Sequence, residues 1–304
     1  MPAVSVIIAS YNYETYLDET LRSARNQTRR DIEIIVVDDG SSDHSVEVAE
    51  RHAAEDARVR VLRHPDHQNH GLPATLRLGI EAATGDWIAF LESDDIWLPD
   101  CLTLRLKAVV ANDAGAVFNA VEPLVMPGAD TGWFDSYVPR VMQEHRDRVA
   151  RLHRGPHAAF PLHKALLLEN KIPTFSCIMV RRPLLERVSF ESPVPRWLDW
   201  WIWMRIARKA NFCFVDQPLT LWRLHPKSYN HKIAFSRYLE DGRALWNGFR
   251  REHRRAFWDS GERLAALFLA LPFWARLIAR FFMIARERGL SETVVRIKIG
   301  RAHV

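Results

Sequence analysis

The sequence predicts a doubly wound α/β fold built on a mostly parallel sheet. Short apolar runs alternate with segments in which apolar residues recur every three or four positions. The runs are nearly continuous, as strands buried on both faces require. Alternation of strand and helix at this spacing indicates right-handed crossovers within one sheet. Ligands bind such sheets at the carboxyl ends of the strands, so function is expected there.

The elements of the first hundred residues follow from this alternation. We predict strands at 4–10, 32–37, 59–62 and 87–91 from their Val- and Ile-rich runs. Helices are predicted between them, at about 16–24, 43–54 and 72–83. The acidic and serine-rich turn at 38–43 ends the second strand and offers N-caps for the next helix.

Composition and charge narrow the class of protein. The chain has 304 residues, 48% of them apolar and 26% charged, which excludes a disordered or fibrous protein. Its net charge is +5, but residues 251–304 hold eleven Lys and Arg against five Asp and Glu, so the first 250 residues are close to neutral. The basic charge therefore bears on where the protein docks. We expect no nucleic acid partner, because no recognition module accompanies the charge.

The cysteines and the ends of the chain favour a reducing compartment. The cysteines at 101, 177 and 213 are odd in number and widely spaced, which argues against a disulfide framework. The N-terminus has no signal-peptide pattern. The longest uncharged apolar stretch of the tail, at 264–275, has 12 residues and contains Pro272. A helix that spans a membrane needs roughly 20 apolar residues. Together with the cysteines and the N-terminus, this short stretch predicts a cytoplasmic protein, with a peripheral location at the inner face of the cell membrane as an option.

Polar residues follow the predicted strands in a pattern that favours a metal-bound diphosphate. The first strand is followed by Ser-Tyr-Asn at 10–12, which is neither a dinucleotide fingerprint nor a P-loop. Two aspartates at 38–39 end the second strand, and Glu-Ser-Asp-Asp at 92–95 follows the fourth. Carboxylates that converge on one sheet edge repel each other unless a cation lies among them. A divalent metal that holds a diphosphate is the simplest explanation.

Four segments together resemble glycosyltransferase family 2, whose members use nucleotide-sugar donors and have the glycosyltransferase A fold. They are Val-Ser-Val-Ile-Ile-Ala-Ser-Tyr-Asn at 4–12, Val-Val-Asp-Asp-Gly-Ser at 36–41, Asn-x-Gly at 69–71, and Gly-Asp-Trp-Ile-Ala-Phe-Leu-Glu-Ser-Asp-Asp at 85–95. The resemblance covers residues 4–100 and resumes over roughly 166–225. It implies a Rossmann-like sheet flanked by helices and a C-terminal helical extension.

The resemblance also implies a division of the chain. Residues 1–230 are expected to form the catalytic domain, with a nucleotide-binding half at about 1–100 and an acceptor-binding half at about 101–230. Residues 231–304 are expected to be a helical, basic and amphipathic region.

In the nucleotide-binding half, the resemblance places Ala9, Tyr11 and Asp39 at the nucleotide base. A uracil imide donates a hydrogen bond that suits the Asp39 carboxylate, and a tyrosine ring packs well on a flat base. Gly71 would allow a turn beside the donor sugar, and Arg77 would contact a phosphate or the sugar. A tight turn with a helix cap is the structural alternative for 38–40.

Glu92, Ser93 and Asp94 stand where the family has Asp-x-Asp. By resemblance, Asp94 binds Mn²⁺ or Mg²⁺ and Glu92 and Ser93 lie at the donor; glutamate at the first position is a departure from the family. The segment with Arg223 and His225 is similar to the Arg-x-His segment that closes over the donor, so Arg223 would contact the diphosphate and His225 the metal or a phosphate. An acidic turn and a solvated loop histidine are the alternatives.

The Trp-rich segment at 195–207 is similar to the family's acidic helix start, which makes Asp199 the expected catalytic base. An inverting transfer needs a carboxylate that takes the proton of the acceptor hydroxyl. The family's neighbouring acidic residues are Leu198 and Trp201 here, so Asp199 is the one carboxylate left in the motif. The alternative is an N-cap on a core helix, and most of the tryptophans are expected to be core.

Composition sets two further regions of the chain apart. Residues 120–161 are irregular in pattern, and we expect a loop-and-helix insertion there that selects the acceptor. Residues 264–285 carry Arg276 and Arg280 one turn apart, which suits either an anionic membrane surface or a helical hairpin that packs on the catalytic domain or on another subunit.

The sequence therefore predicts an inverting, metal-dependent glycosyltransferase that moves a sugar from a nucleoside diphosphate, of the UDP type, to a hydroxyl of a glycan or lipid-linked acceptor. A scaffold that binds the donor without catalysis is the main alternative. A nucleotidyltransferase is a third, but it would need a glycine-rich phosphate loop after the first strand.

Overall fold

The computed structural model describes residues 2–226, 235–272 and 274–278. The chain divides into two compact units. The first comprises Met1–Glu191 and Leu198–Ser228, and the second comprises Ser192–Trp197 and Tyr229–Val304.

Within residues 2–226 the first unit is built on one mixed sheet of eight strands. The strands are β1 (Val4–Ser10), β2 (Ile32–Asp38), β3 (Val59–Arg63), β4 (Trp87–Phe90), β5 (Ile96–Trp97), β6 (Ala116–Val125), β7 (Ile178–Arg181) and β8 (Phe212–Leu224). Their order across the sheet is β3-β2-β1-β4-β7-β6-β8-β5.

The sheet changes character at β4. The pairs β3–β2, β2–β1 and β1–β4 are parallel, and β6–β8 is parallel too. Strand β7 runs antiparallel to both of its neighbours, and β5 runs antiparallel to β8. The parallel half is the Rossmann-like part that the sequence predicts, and it aligns the carboxyl ends of β1, β2 and β4 on one edge.

Helices cover both faces of this sheet. The first unit contains α1 (Leu17–Arg25), α2 (Ser45–Glu55), α3 (Leu72–Ala82), α4 (Cys101–Asn112), α5 (Gly132–Leu152), α6 (His163–Leu166), α7 (Arg182–Glu186) and α8 (Leu198–Ala207). Alternate residues of β1 explain the two layers: Val6 joins the cluster that includes Leu21 of α1 and Leu106 of α4. On the other face Ile7 contacts α3, where a Cβ on Gly79 would lie 2.7 Å from the Ile7 side chain.

The structure confirms the elements predicted in the first hundred residues to within one or two positions. Residues 120–161 are more regular than expected. They contain the end of β6 and the 21-residue helix α5, with Pro139 inside it. The helix tolerates this proline because one face is well buried, which offsets the lost backbone hydrogen bond; its buried side chains are Phe134, Val138, Val141, Met142 and His145.

From residue 235 onward the described part of the second unit is mainly helical. It contains α9 (Phe235–Asp259) and α10 (Arg263–Ala270), with a left-handed Gly261 (φ +79°) at their joint. After Pro272 the chain is helical again at 274–278. Arg276 does not lie on an exposed basic face: it is 2% exposed and donates from Nη1 to the Trp246 carbonyl. Arg280 lies outside the described residues.

None of the helices in the described ranges is long and apolar enough to cross a membrane.

Candidate active site

The candidate site lies where β1, β2 and β4 end and where β8 returns beside β5. Backbone pairing in the parallel half brings Ser10 level with Asp38. The segment after β4 carries the acidic residues 92–95, and the end of β8 carries Arg223 and His225. Residues that are far apart in the sequence therefore meet at one edge of the sheet.

Tyr11 follows β1 and is 46% exposed, so its ring is available to a ligand. Ala9, two residues earlier in β1, is only partly buried. The turn after them is held by Asn12, which has a left-handed backbone (φ 59°) and whose Oδ1 accepts a hydrogen bond from the Ser42 amide. This geometry suits the expected role of Tyr11 and Ala9 as a wall for a flat base.

Asp38 and Asp39 accept hydrogen bonds from different segments. Asp38 is buried and its Oδ2 accepts hydrogen bonds from the amides of Gly40 and Ser41, so it is the turn residue of the structural alternative. Asp39 accepts from the His70 amide at 2.8 Å and the Gly71 amide at 3.0 Å. Because each carboxylate oxygen has two acceptor positions, Asp39 can hold this loop and still accept from a base.

Gly71 has φ +82°, a conformation that favours glycine, and it precedes α3 as the N-cap. Arg77 lies on that helix but its guanidinium is engaged: Nη2 donates to the Val188 carbonyl at 3.0 Å, and the group lies over the Phe190 ring. Arg77 thus ties α3 to the segment after α7. A phosphate contact from Arg77 would require these bonds to open.

Glu92 and Ser93 lie in a buried network at the end of β4. The Glu92 amide donates to Ser176 Oγ at 2.9 Å, and the Glu92 carboxyl accepts from the Thr174 hydroxyl. The Ser93 carbonyl accepts from Thr20 Oγ1 at 3.1 Å. The acidic segment is thus fixed from both α1 and the 174–176 turn, which is more than a simple surface turn would need.

Asp94 and His225 form an acid–imidazole pair at this edge. Asp94 Oδ2 lies 3.1 Å from His225 Nε2, and the imidazole is almost fully buried. The His225 ring packs 4.8 Å from the Tyr16 ring and 6.2 Å from the Tyr13 ring, measured between centroids. His225 is therefore a packed component of the site, and the alternative of a solvated loop histidine is wrong.

Asp95 and Arg223 join the acidic segment to β8. The Arg223 amide donates to Asp95 Oδ1 at 2.8 Å, and Arg223 Nε donates to the Asp94 carbonyl at 2.6 Å. The Arg223 guanidinium also pairs with Glu19 at 2.5 Å. Asp95 thus fixes the backbone at Arg223, two residues before His225.

Negative charge is concentrated in this region. Burial and the charge of Asp94 raise the pKa of Glu92, and burial with the charges of Asp94 and Glu92 raises the pKa of Asp95 well above its usual range. Burial and the same three carboxylates raise the pKa of the Tyr13 hydroxyl. The site disfavours further negative charge, so an anionic diphosphate needs a cation there.

The side chains of Asp94 and His225 fit a divalent cation. Neighbouring ligands in an octahedron with 2.1 Å bonds lie about 3 Å apart, and the two donor atoms are 3.1 Å apart. Carboxylate and imidazole together suit Mn²⁺. Among the described residues no group of three or more His, Cys, Asp or Glu side chains could hold a metal. A cation here would depend on the phosphates of the donor and on water for its remaining ligands.

Asp199 lies in the first turn of α8, and its Oδ2 accepts a hydrogen bond from Asn170 Nδ2 at 2.6 Å. Burial raises the pKa of Asp199 to about 6, against the hydrogen bonds that lower it. Its charge contributes to the raised pKa of Glu92, so the two carboxyls face the same region. A carboxylate with a pKa near 6 is a better proton acceptor than an ordinary aspartate.

The tryptophans of α8 are core residues, as expected. Trp200, Trp201 and Trp203 are all buried. They pack around the helix. Asp199 is the acidic residue of α8, and it faces the site.

Sequence reasoning missed several residues that build the site. Asn170 and Tyr137 are the main ones: the Tyr137 hydroxyl donates to the Asn170 carbonyl at 2.8 Å, and Asn170 holds Asp199. Thr174, Ser176 and Tyr13 were also missed. Only Tyr13 carried a signal, because it directly follows the Ser-Tyr-Asn turn; the others reach the site through contacts between distant segments.

Fold and site together define a sugar-transferring enzyme of the nucleotide-sugar type. The sequence profile of Glycosyl transferase family 2 matches residues 5–188. The chain belongs to this family and is a glycosyltransferase. A Bacillus subtilis (strain 168) relative that carries the name glycosyltransferase EpsH is 50% identical over 270 residues, which cover 86% of this chain and 71% of that relative.

Solved structures share the fold. TarS residues 1–349 of S. aureus, in complex with UDP-GlcNAc, superpose with a TM-score of 0.62 at 18% identity, over 81% of this chain and 66% of that one. Mannosyltransferase PcManGT from Pyrobaculum calidifontis, in complex with GDP-Man and Mn²⁺, superposes with a TM-score of 0.58 at 19% identity, over 99% of this chain and 80% of that one. At these identities the likeness establishes the glycosyltransferase A type of fold.

Proposed function

We propose that this glycosyltransferase moves a sugar from a nucleoside diphosphate donor to a hydroxyl with inversion, using Asp199 as the base and a divalent cation at Asp94 and His225. The observation that carries the proposal is the meeting of three elements at one sheet edge. The Asp94–His225 pair lies 3.1 Å apart, and the partly buried Asp199 carboxyl faces the same acidic region.

The donor would lie across the ends of β1 and β2. Tyr11 supplies an exposed aromatic ring, and Asp39 keeps acceptor capacity beside it. A uracil base fits this pair, because its imide N–H donates to a carboxylate. The TarS complex with UDP-GlcNAc supports a UDP-type donor, while the PcManGT complex holds GDP-Man.

The diphosphate would lie between Tyr11 and the Asp94–His225 pair. A bound cation would neutralise the charge that develops on the leaving diphosphate. Arg223 lies beside Asp94 and could add a further positive contact by exchanging its Glu19 partner for a phosphate oxygen. Glu92 and Ser93 would lie beside the donor and hold the acidic segment in place through their bonds to residues 20, 174 and 176.

Transfer itself needs one proton acceptor. The acceptor hydroxyl would give its proton to Asp199 as its oxygen forms the new bond to the anomeric carbon. The bond from that carbon to the diphosphate oxygen breaks, and its electron pair leaves with the nucleoside diphosphate. Attack from the face opposite the leaving group inverts the anomeric centre.

A thermal-shift series tests the donor and the cation together. A ligand that binds only the native state raises the midpoint of unfolding with its occupancy. We expect UDP and UDP-sugars to raise Tm more with Mn²⁺ or Mg²⁺ than with either component alone, and more than GDP does. A series in which no nucleotide gives a cation-dependent shift would contradict the proposed donor site.

We propose a hydroxyl of a glycan or of a lipid-linked sugar as the acceptor, with synthesis of a cell-envelope polysaccharide in the cytoplasm as the setting. Helix α5 and the segment to Asn170 would select this acceptor, because Asn170 donates to Asp199 and Tyr137 donates to the Asn170 carbonyl.

Asn170 gives a pH prediction. The pKa of Asp199 is about 6, so kcat/KM should fall about tenfold per pH unit below that value and level off above it. Asn170→Ala removes a hydrogen bond that favours the ionised carboxylate and should move the acid limb upward by about one unit. The measurement is the rate of donor turnover across pH.

Asn112→Ala is the matched control, because Asn112 donates only to the Ala108 carbonyl at the end of α4. Its profile should coincide with that of the wild type. An unchanged acid limb in Asn170→Ala would mean that Asn170 does not position Asp199, whatever happens to the maximal rate.

A further inference from the structure

The described part of the second unit presents a basic face on α9. At about 100° per residue, the exposed Glu252 and Ala256 lie outside an arc of about 140° that holds the other five exposed side chains between 250 and 258. They are Arg250, Arg251, Arg254, Arg255 and Trp258, and Asn247 lies in the same arc. Arg250, Arg251, Arg254 and Asn247 line a groove of about 410 Å³. The opposite face is packed, with Leu245, Phe249 and Phe257 fully buried.

In the part of the chain that the structure describes, carboxylates do not neutralise this basic face. Within the described ranges none of Arg250, Arg251 and Arg254 forms an ion pair with a carboxylate, while Arg255 has a long contact of 3.8 Å to Asp259. Arg276 is buried behind this face, and burial together with the charge of Arg250 lowers the pKa of its guanidinium. A cluster of cations that lacks its counter-ions attracts an anionic surface.

An exposed apolar face adjoins the arginines. The Arg263 guanidinium lies over the Trp258 ring, 5.9 Å from its centroid, which joins the end of α9 to the start of α10. On α10, Leu264 is 85% exposed and Leu267, one turn on, is also exposed. Trp274 and Ile278 repeat this pattern in the next helical segment. Exposure of such a row of large apolar side chains to water is unfavourable and marks a surface that binds another surface.

We propose that this docking face, formed by Arg250, Arg251, Arg254, Trp258, Leu264 and Leu267, binds the surface of a bilayer that contains anionic phospholipids. Arginines on one side and Trp and Leu on the other are the pattern of a helix that lies in a membrane interface. The inference concerns the second unit alone and does not depend on the donor chemistry.

The charges favour a bilayer over a second copy of the chain. A two-fold dimer through this face would bring the same patch of each copy together, so arginines would lie against arginines. Phosphate headgroups offer the opposite charge, and the acyl region beneath them takes up the leucines. One occupant thus satisfies both halves of the face.

Vesicle flotation of the full chain tests the proposal. We expect binding to vesicles of phosphatidylcholine with about one third phosphatidylglycerol, much weaker binding to phosphatidylcholine alone, and a loss of affinity as salt rises. Arg250→Gln, Arg251→Gln and Arg254→Gln combined should lower the partition coefficient about a hundredfold. Leu264→Gln with Leu267→Gln should lower it tenfold or more.

The control is Val110→Gln on α4, where Val110 is an exposed apolar residue of the first unit, 77% accessible. It should bind vesicles like the wild type. Unchanged vesicle binding by the arginine or the leucine variant would overturn the proposal. Absence of vesicle binding by the wild type would also overturn it. A dimer in sedimentation that the leucine variant dissociates would then identify a second copy of the chain as the occupant.

Donor binding separates this outcome from a failure of the proposed function. The nucleotide-dependent shift in Tm should be the same in the wild type and in every docking-face variant. If the shift is missing from all of them, the proposed donor site fails and the vesicle result stands on its own.

Discussion

Asp199→Asn is expected to abolish sugar transfer while leaving donor binding intact. The variant keeps the size of the side chain and an oxygen that can accept from Asn170, but it cannot take the proton of the acceptor hydroxyl. Loss of a general base costs typically 10²- to 10⁴-fold in rate. We expect a fall in kcat of this size with little change in the donor-dependent thermal shift.

The same variant carries a stability signature. The pKa of Asp199 is raised from 3.8 to about 6 in the folded chain. For an acid with a raised folded pKa, the stabilisation is present below the unfolded pKa and is lost as pH rises through the folded pKa. The ionised carboxylate is therefore destabilising at pH 7.5, and Asp199→Asn should raise Tm there by a few degrees. Below pH 4 the difference should vanish.

Asp216→Asn is the matched control for this experiment. Asp216 lies on β8 in an exposed pair with Arg146, and its variant should keep full activity. A structural N-cap role for Asp199 predicts the opposite pattern: a lower Tm at neutral pH with residual transfer. Measuring Tm and transfer on one preparation decides between the two roles.

The sequence predicted the parallel half of the fold well because of where its strands lie. Strands β1, β2 and β4 are buried on both faces, so each is a continuous apolar run with little alternative. Strands β6 and β8 were not predicted. They carry Asn119 and Pro218 within their runs, and their pairing shifts register next to Asn119, so neither shows one clean period.

The residues of the candidate site also fall into two groups: those in local sequence motifs, and those that reach the site through contacts between distant segments. Asp39, Asp94 and Asp199 were predicted because each belongs to a local motif beside a strand or helix end. Asn170 could not be predicted from the sequence, since it stands 29 positions before Asp199 and meets it through the packing of α6 and the following segment against α8. Arg77 shows the converse: a basic residue beside a motif was expected at the donor, yet it ties α3 to the Val188 carbonyl.

Asp94→Asn should remove the dependence of donor binding on a divalent cation. The carboxylate oxygen that lies 3.1 Å from His225 Nε2 is the strongest hard ligand of the pair. Its loss should lower kcat/KM about a thousandfold or more, because metal stabilisation of a leaving diphosphate supplies several kcal/mol. His225→Gln should have a smaller effect, since Asp94 remains.

The fold should survive this change. Asp94 is one of the charges that raise the pKa values of Glu92 and Asp95, so a neutral side chain relieves repulsion. Asp86→Asn, at an exposed position before β4, is the control and should bind and react normally. Titrating Mn²⁺ against Tm in the presence of UDP gives the readout. A cation-dependent shift that persists in Asp94→Asn would move the metal away from this pair, because the carbonyl oxygen of an asparagine is a poor substitute for a carboxylate toward Mn²⁺.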